Sequence, residues 1–284
     1  MRLDVSRDVL DAIAKQVLAK TERAFELLGT ERDGAFVIED LAAQVEGTMS
    51  GVKTPETPCS AHTHAISNYV HQDCFVGWPS GEDMRWVLHE AISQKGAFKT
   101  HLCVALEGTY AITVNPAVVA LEALSDEETE TVMRGVFLYF SSRHGHRCGE
   151  GASLEKFPNA LYFMRLAADF SFEGPLCEQH AGSDAECEPS CAARARAASL
   201  VPGRVFSCAF IPHRLRCPEC EYSYTDIVDE PESHRRRIHE GRYHDVRVAG
   251  KPHITITKGW RLSEAAPPVR ESRTATPNRT RRAP

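Results

Sequence analysis

The pair His62 and His64, followed by Ser80 and Asp83, constrains this chain more than any other feature of its sequence. In an extended segment side chains alternate between faces, so residues two apart stand on the same side. If that segment is a strand, both imidazoles can reach one ion at ~2.0–2.1 Å. A carboxylate from elsewhere supplies a third ligand. Asp83 is the natural one, heading a stretch in which Trp86, Val87 and Ala91 have helical spacing. Three protein ligands leave a fourth position for water, whose pKa a bound zinc lowers to around 7.

The bulk of the chain is that of a globular protein: 284 residues, 42% hydrophobic and 25% charged. A net charge of −6 argues against indiscriminate nucleic-acid binding. Arg270, Arg273, Arg279, Arg281 and Arg282 form a basic run among Pro, Thr and Ala, which reads as a solvated tail. No apolar run near Met1 resembles a signal peptide, and no uncharged stretch approaches the ~20 residues of a membrane helix. The expectation is a cytoplasmic or nuclear protein that is not secreted and has no membrane partner. In that reducing setting the ten cysteines point to metal binding and buried thiols rather than disulfides.

Apolar residues at Val9, Leu10, Ile13, Val17, Leu18 and Phe25 predict an amphipathic helix from Ser6 to about Leu28. Strands are predicted over Gly34–Ile38, around Gly47–Val52 and through Cys59–His64, with a helix after Asp83. His101–Leu106 and Thr109–Val114, with a turn at Glu107 and Gly108, read as a hairpin. Helices follow over Asp126–Ser142 and Leu154–Ala168, then a loop-like stretch from Phe172 to Ala198 and a strand over Arg204–Pro212.

His62-x-His64 with Trp78, Pro79, Ser80, Gly81, Glu82 and Asp83 resembles the JAMM motif (H-x-H, then S-x-x-D) of MPN-plus metallopeptidases. The longer loop and the Trp-Pro-Ser-Gly-Glu-Asp stretch are similar to forms found in large DNA viruses. The resemblance covers roughly residues 5–170. It departs at Ala65, where family members usually carry proline, a residue that shapes the loop and ligates nothing. The resemblance implies zinc-dependent cleavage of isopeptide bonds to ubiquitin or a ubiquitin-like protein. It also implies that Ser80 donates to the oxyanion and that a glutamate on the first strand moves the proton. Glu31, in E-x-x-G with Gly34, fits that glutamate best; Glu26, in E-x-x-G with Gly29, and Glu22 are the alternatives. By its own chemistry Ser80 is equally a helix N-cap.

A second constellation lies downstream. Cys217 and Cys220, followed by His234 and His239, have the spacing C-x2-C-x13-H-x4-H, and Tyr224 sits where C2H2 zinc fingers place an aromatic core residue. This resembles a C2H2 finger over about residues 214–244, with His213 and His244 as neighbouring alternatives. Arg235, Arg236 and Arg237 could contact phosphates. Asp229, Glu230, Pro231 and Glu232 sit where a base-reading helix would begin, which favours a structural or protein-binding role. Cys177, His180, Cys187 and Cys191 could form a further zinc knot, and Cys103 and Cys208 read as small buried hydrophobes.

The expected fold is α+β: an MPN-like mixed sheet flanked by helices over residues 1–172 and a Cys-rich linker over 173–203. A C2H2-like module over 204–250 and a disordered basic tail over 263–284 complete it. One catalytic and one structural Zn2+ are expected. Two functions compete. One is a JAMM-type hydrolase acting on ubiquitin-like conjugates, and the other is a non-catalytic zinc-finger protein that binds nucleic acid or a protein partner.

Overall fold

The computed structural model describes residues 2–17, 19–65, 77–105, 108–143, 159–173, 189–212, 253–257 and 261–262. The fold is α+β, built on one mixed sheet. Its strands are β1 (Arg2–Ser6), β2 (Arg23–Arg32), β3 (Ala35–Glu46), β4 (Cys59–Thr63), β5 (Thr100–Val104), β6 (Gly108–Val114), β7 (Phe206–Pro212), β8 (His253–Thr257) and β9 (Arg261–Leu262). Their spatial order is β7-β6-β5-β4-β2-β3-β1-β8-β9. The pairs β1/β3 and β4/β5 are parallel and the other pairs antiparallel.

Helices cover both faces. On one side α1 (Arg7–Gln16) buries Val9, Leu10 and Ile13 in a cluster with Leu102, Val104, Ala111 and Ile211. On the other side lie α2 (Gly81–Ser93), a 3-10 helix (Pro116–Ala123), α3 (Asp126–Arg143), α4 (Asn159–Asp169) and α5 (Pro189–Leu200). There Met84, Val87 and Leu88 pack with Tyr110, Ile112, Phe140, Phe163 and Phe206. The split follows from strand alternation: on β5, Leu102 and Val104 face α1, while Cys103 faces the α2 side. Burying a Leu or Phe side chain contributes ~1.5–3 kcal/mol, so these two clusters hold the sheet between its helical layers.

The structure departs from the sequence reading at several elements. The predicted helix over Ser6–Leu28 ends at Gln16, and residues 23–32 form β2 instead. Here Ala24, Phe25 and Leu27 are buried between β3 and β4, and the ladder on both sides outweighs the helical spacing of Phe25. No strand forms around Gly47–Val52. Thr48 N–H bonds the Gly51 carbonyl at 2.8 Å, closing a turn. The expected linker over 173–203 contains α5, whose Ala193 and Ala197 are buried, as is Val201 just after it. Residues 206–212, expected to open the C-terminal module, pair with β6 along their whole length and belong to the main sheet. β1, which no sequence signal suggested, pairs with β3 and β8.

Cys217, Cys220, His234 and His239 lie outside the described residues, as do Cys177, His180, Cys187 and the tail beyond Leu262. Among the described residues no helix is long and apolar enough to cross a membrane.

Candidate metal centre

Three elements meet at the site. β4 carries Ser60 and His62 on the face toward α2, with His64 just past its end; β5 carries His101 and Cys103 on the same face; α2 begins beside them. The parallel register sets Ser60 opposite His101 and His62 opposite Cys103. Ala61 and Leu102 point the other way, into the α1 cluster.

Ser80 is the N-cap of α2. Its Oγ accepts from Asp83 N–H at 3.1 Å, and its own N–H donates to Asp83 Oδ2, which completes a capping box. Gly81 lets this turn approach α3: a Cβ there would lie 2.5 Å from the Phe137 carbonyl oxygen. Asp83 is thereby aimed at the histidines from a fixed helix start. Its Oδ1 lies 3.3 Å from His62 Nε2 and its Oδ2 lies 3.4 Å from His64 Nε2.

Those two distances are informative. Charge-assisted N–H···O bonds are shorter, ~2.7–2.9 Å. An ion held tetrahedrally at ~2.0–2.1 Å separates its ligand atoms by about 3.3–3.4 Å, the separation each histidine shows from the carboxylate oxygen nearest it. His62 is buried and, among the described residues, its Nε2 makes no hydrogen bond and has Asp83 Oδ1 as its polar neighbour. The opposite ring nitrogens are held. His64 Nδ1 donates to the Gly77 carbonyl at 2.8 Å, and His62 Nδ1 lies 2.7 Å from His101 Nε2.

His62, His64 and Cys103 also stand close enough together to hold a metal ion. The Cys103 Sγ lies 3.5 Å from His64 Nε2 and 3.8 Å from its Nδ1. A sulfur sharing a tetrahedral ion with Nε2 would sit about 3.5 Å from that atom but more than about 5 Å from Nδ1. Cys103 therefore rests beside the imidazole ring and would have to rotate to become a ligand. As placed, His62 Nε2 and His64 Nε2 face the Asp83 carboxylate, and these three side chains could hold a metal ion with Cys103 beside them.

Protonation suits metal binding at His62 and Asp83, while His64 is shifted the opposite way, so a metal would have to displace a proton from it. Burial lowers His62 to about 4, with Asp83 opposing and His64 reinforcing, so the ring is neutral near pH 7. Burial, reinforced by His62, likewise holds His101 well below the ordinary histidine range. Burial would raise Asp83, but the two histidines and the Ser80 N–H keep its carboxyl well below the usual range. His64 stays well above the histidine range because the Cys103 sulfur and Asp83 together outweigh its burial.

The ligands line a cavity of about 810 Å3 that also holds Glu22, Ser80, Trp86 and Glu90. Glu22, only 6% exposed, precedes β2 directly. Ala24 pairs with His62, so continuing the register brings Glu22 beside His64. Its backbone is pinned by bonds to Thr48 and Gly47 at 2.8 and 2.9 Å. Glu31, the glutamate favoured from sequence, is elsewhere. It lies seven strand positions beyond Ala24, on the order of 23 Å along β2, and is exposed beside Lys99 Nζ at 3.4 Å. Glu26 pairs with Ser60 and does not line the cavity.

Sequence reasoning passed over Ser60, Gly77 and His101, and it set Cys103 aside as packing. The available signal was parity: His101 and Cys103 are two apart on one predicted strand. Comparisons with protein-family models, with curated proteins and with solved structures find no match for this chain.

Proposed function

We propose that the protein is a zinc-dependent hydrolase of amide bonds, of the JAMM type, that removes ubiquitin or a ubiquitin-like protein from its conjugates. The observation that carries this reading is the spacing of His62 Nε2 and His64 Nε2 about one Asp83 carboxylate, in the wall of a cavity that also holds a buried glutamate. The fold family and the ubiquitin-like substrate rest on the resemblance of His62, His64, Ser80 and Asp83 to the JAMM motif.

Zinc bound by these residues supplies a Lewis acid that activates water near neutral pH and polarises the scissile carbonyl. In this reading Glu22, not Glu31, takes the proton from the attacking water and returns it to the leaving amine. The Ser80 Oγ already accepts from Asp83 N–H, so its hydroxyl hydrogen remains to donate to the oxyanion. That oxygen would also sit at the positive end of α2. Five glutamates line the cavity, among them Glu56 and Glu130, against Lys53 and Arg85, which favours a cationic peptide segment over an anionic one.

The test is cleavage of isopeptide-linked ubiquitin dimers by the full chain loaded with zinc. His62→Ala and Asp83→Ala should reduce cleavage to background. Wild-type cleavage no faster than these variants, across the available linkages and ubiquitin-like proteins, would remove the isopeptidase reading.

A further inference from the structure

The two histidines are oriented in different ways. His64 Nδ1 faces a backbone carbonyl, which only accepts, so a proton sits on Nδ1 and Nε2 is the nitrogen turned to Asp83. His62 Nδ1 instead faces His101 Nε2 at 2.7 Å, and His101 Nδ1 faces Ser60 Oγ at 2.9 Å. An imidazole nitrogen can donate or accept, so this three-member chain has two complete proton arrangements.

In the first, Ser60 donates to His101 Nδ1, His101 Nε2–H donates to His62 Nδ1, and the His62 proton occupies Nε2. That arrangement points an N–H into the metal position and blocks it. In the second, His62 Nδ1–H donates to His101 Nε2 and His101 Nδ1–H donates to Ser60 Oγ, which leaves the His62 Nε2 lone pair free. Both hold three protons, one on each group, so they differ only in tautomer. Ligation selects the second. A nitrogen that binds a metal must offer its lone pair, so with His62 Nε2 as a ligand the ring proton lies on Nδ1. The group that then accepts it is His101 Nε2, 2.7 Å away, which places the His101 proton on Nδ1 toward Ser60 Oγ at 2.9 Å.

We infer that His101, backed by Ser60, is a positioning residue that sets His62 in the Nδ1–H tautomer and so makes its Nε2 a metal ligand. This rests on the metal reading above. A ligating histidine usually donates its second N–H to a carboxylate, a carbonyl or a water. Here a buried imidazole fills that place, fully enclosed and flanked by Trp86, whose ring stands 4.9 Å away edge-on. The relay also fixes the orientation of the His62 ring, with the two imidazoles stacked at an interplanar angle of 20°.

Two readouts test it on the full chain. The first is the 15N imidazole spectrum, with the His62 signals assigned from a His62→Gln variant. His62 should show the Nδ1–H pattern with and without zinc, and an Nε2–H pattern in both would overturn the inference. The second is zinc affinity by chelator competition, with the site's zinc identified as the ion lost in Asp83→Ala. His101→Leu should weaken that zinc by about 10–100-fold. His101→Gln, whose side-chain oxygen can accept from Nδ1, should recover much of the loss. Wild-type affinity in His101→Leu would overturn the inference, and so would equal losses in the Leu and Gln variants, because packing alone would then explain them. If wild type loses no zinc on Asp83→Ala, the metal reading fails on its own, and the tautomer measurement still decides the relay.

Discussion

Replacing Glu22 with glutamine should abolish most hydrolysis and leave the metal centre intact. The substitution is nearly isosteric, and Glu22 is 6% exposed with its backbone pinned to Thr48 and Gly47. The fold and the cavity should therefore persist. What disappears is a carboxylate able to take a proton, and a positioned general base contributes about 10²–10⁴ in rate. That corresponds to roughly 2.7–5.5 kcal/mol on the barrier. The loss should fall on kcat, with zinc content equal to wild type because no proposed ligand has changed. Glu31→Gln is the matched control. Glu31 is 69% exposed and, among the described residues, pairs with Lys99 alone, so its loss costs at most about 1 kcal/mol of stability and nothing in rate. The assay is single-turnover cleavage of a ubiquitin dimer, with zinc per chain and thermal midpoint measured on the same preparations. Wild-type kcat in Glu22→Gln, or a larger loss in Glu31→Gln, would refute the placement of the base.

Other outcomes follow from the same geometry. Ser80→Ala removes the N-cap of α2 and should lower stability by about 1 kcal/mol, read from denaturant midpoints. It should also lower kcat by about 10²–10³, and wild-type kcat would exclude Ser80 from the oxyanion site. Gly81→Ala forces a Cβ toward the Phe137 carbonyl, so it should destabilise the fold by about 1–3 kcal/mol and weaken zinc binding by displacing Asp83. A variant as stable as wild type would show that α2 and α3 can separate freely. Cys59 is pushed up to about 12 by burial and stays a neutral thiol at pH 8, the direction that suppresses alkylation. Peptide mass spectrometry should find Cys59 modified later than Cys191, which is partly exposed, and the reverse order would contradict its burial.

The convergence of His62, His64 and Asp83 was legible in sequence because its parts are local: His62 and His64 are two apart in an extended segment, and Asp83 heads a helix that Ser80 caps. The rest depended on pairing that no local pattern encodes. His101 sits in an apolar run that reads as core, and only the parallel register of β4 with β5 sets it against Ser60 and His62. The choice among the three glutamates turned on pairing as well. Helical spacing from Val9 to Val17 continues by coincidence to Phe25, which hid the change to strand at residue 23 and left Glu22 inside an apparent helix. Once that segment is a strand, Glu22 lies at the site end of β2 and Glu31 at the far end. α5 was missed because cysteine, serine and proline nearby suggested a loop, although Ala192, Ala193, Ala195, Ala197 and Ala198 favour a helix.

The most direct test of the metal centre is anomalous diffraction at the zinc edge from crystals of the zinc-loaded full chain. A peak about 2.0–2.1 Å from His62 Nε2, His64 Nε2 and an Asp83 oxygen, with Cys103 Sγ farther than the ~2.3 Å of a zinc–sulfur bond, is the predicted result. The absence of a peak at that position in zinc-saturated crystals would contradict it, and so would a peak bonded to Cys103 in place of Asp83.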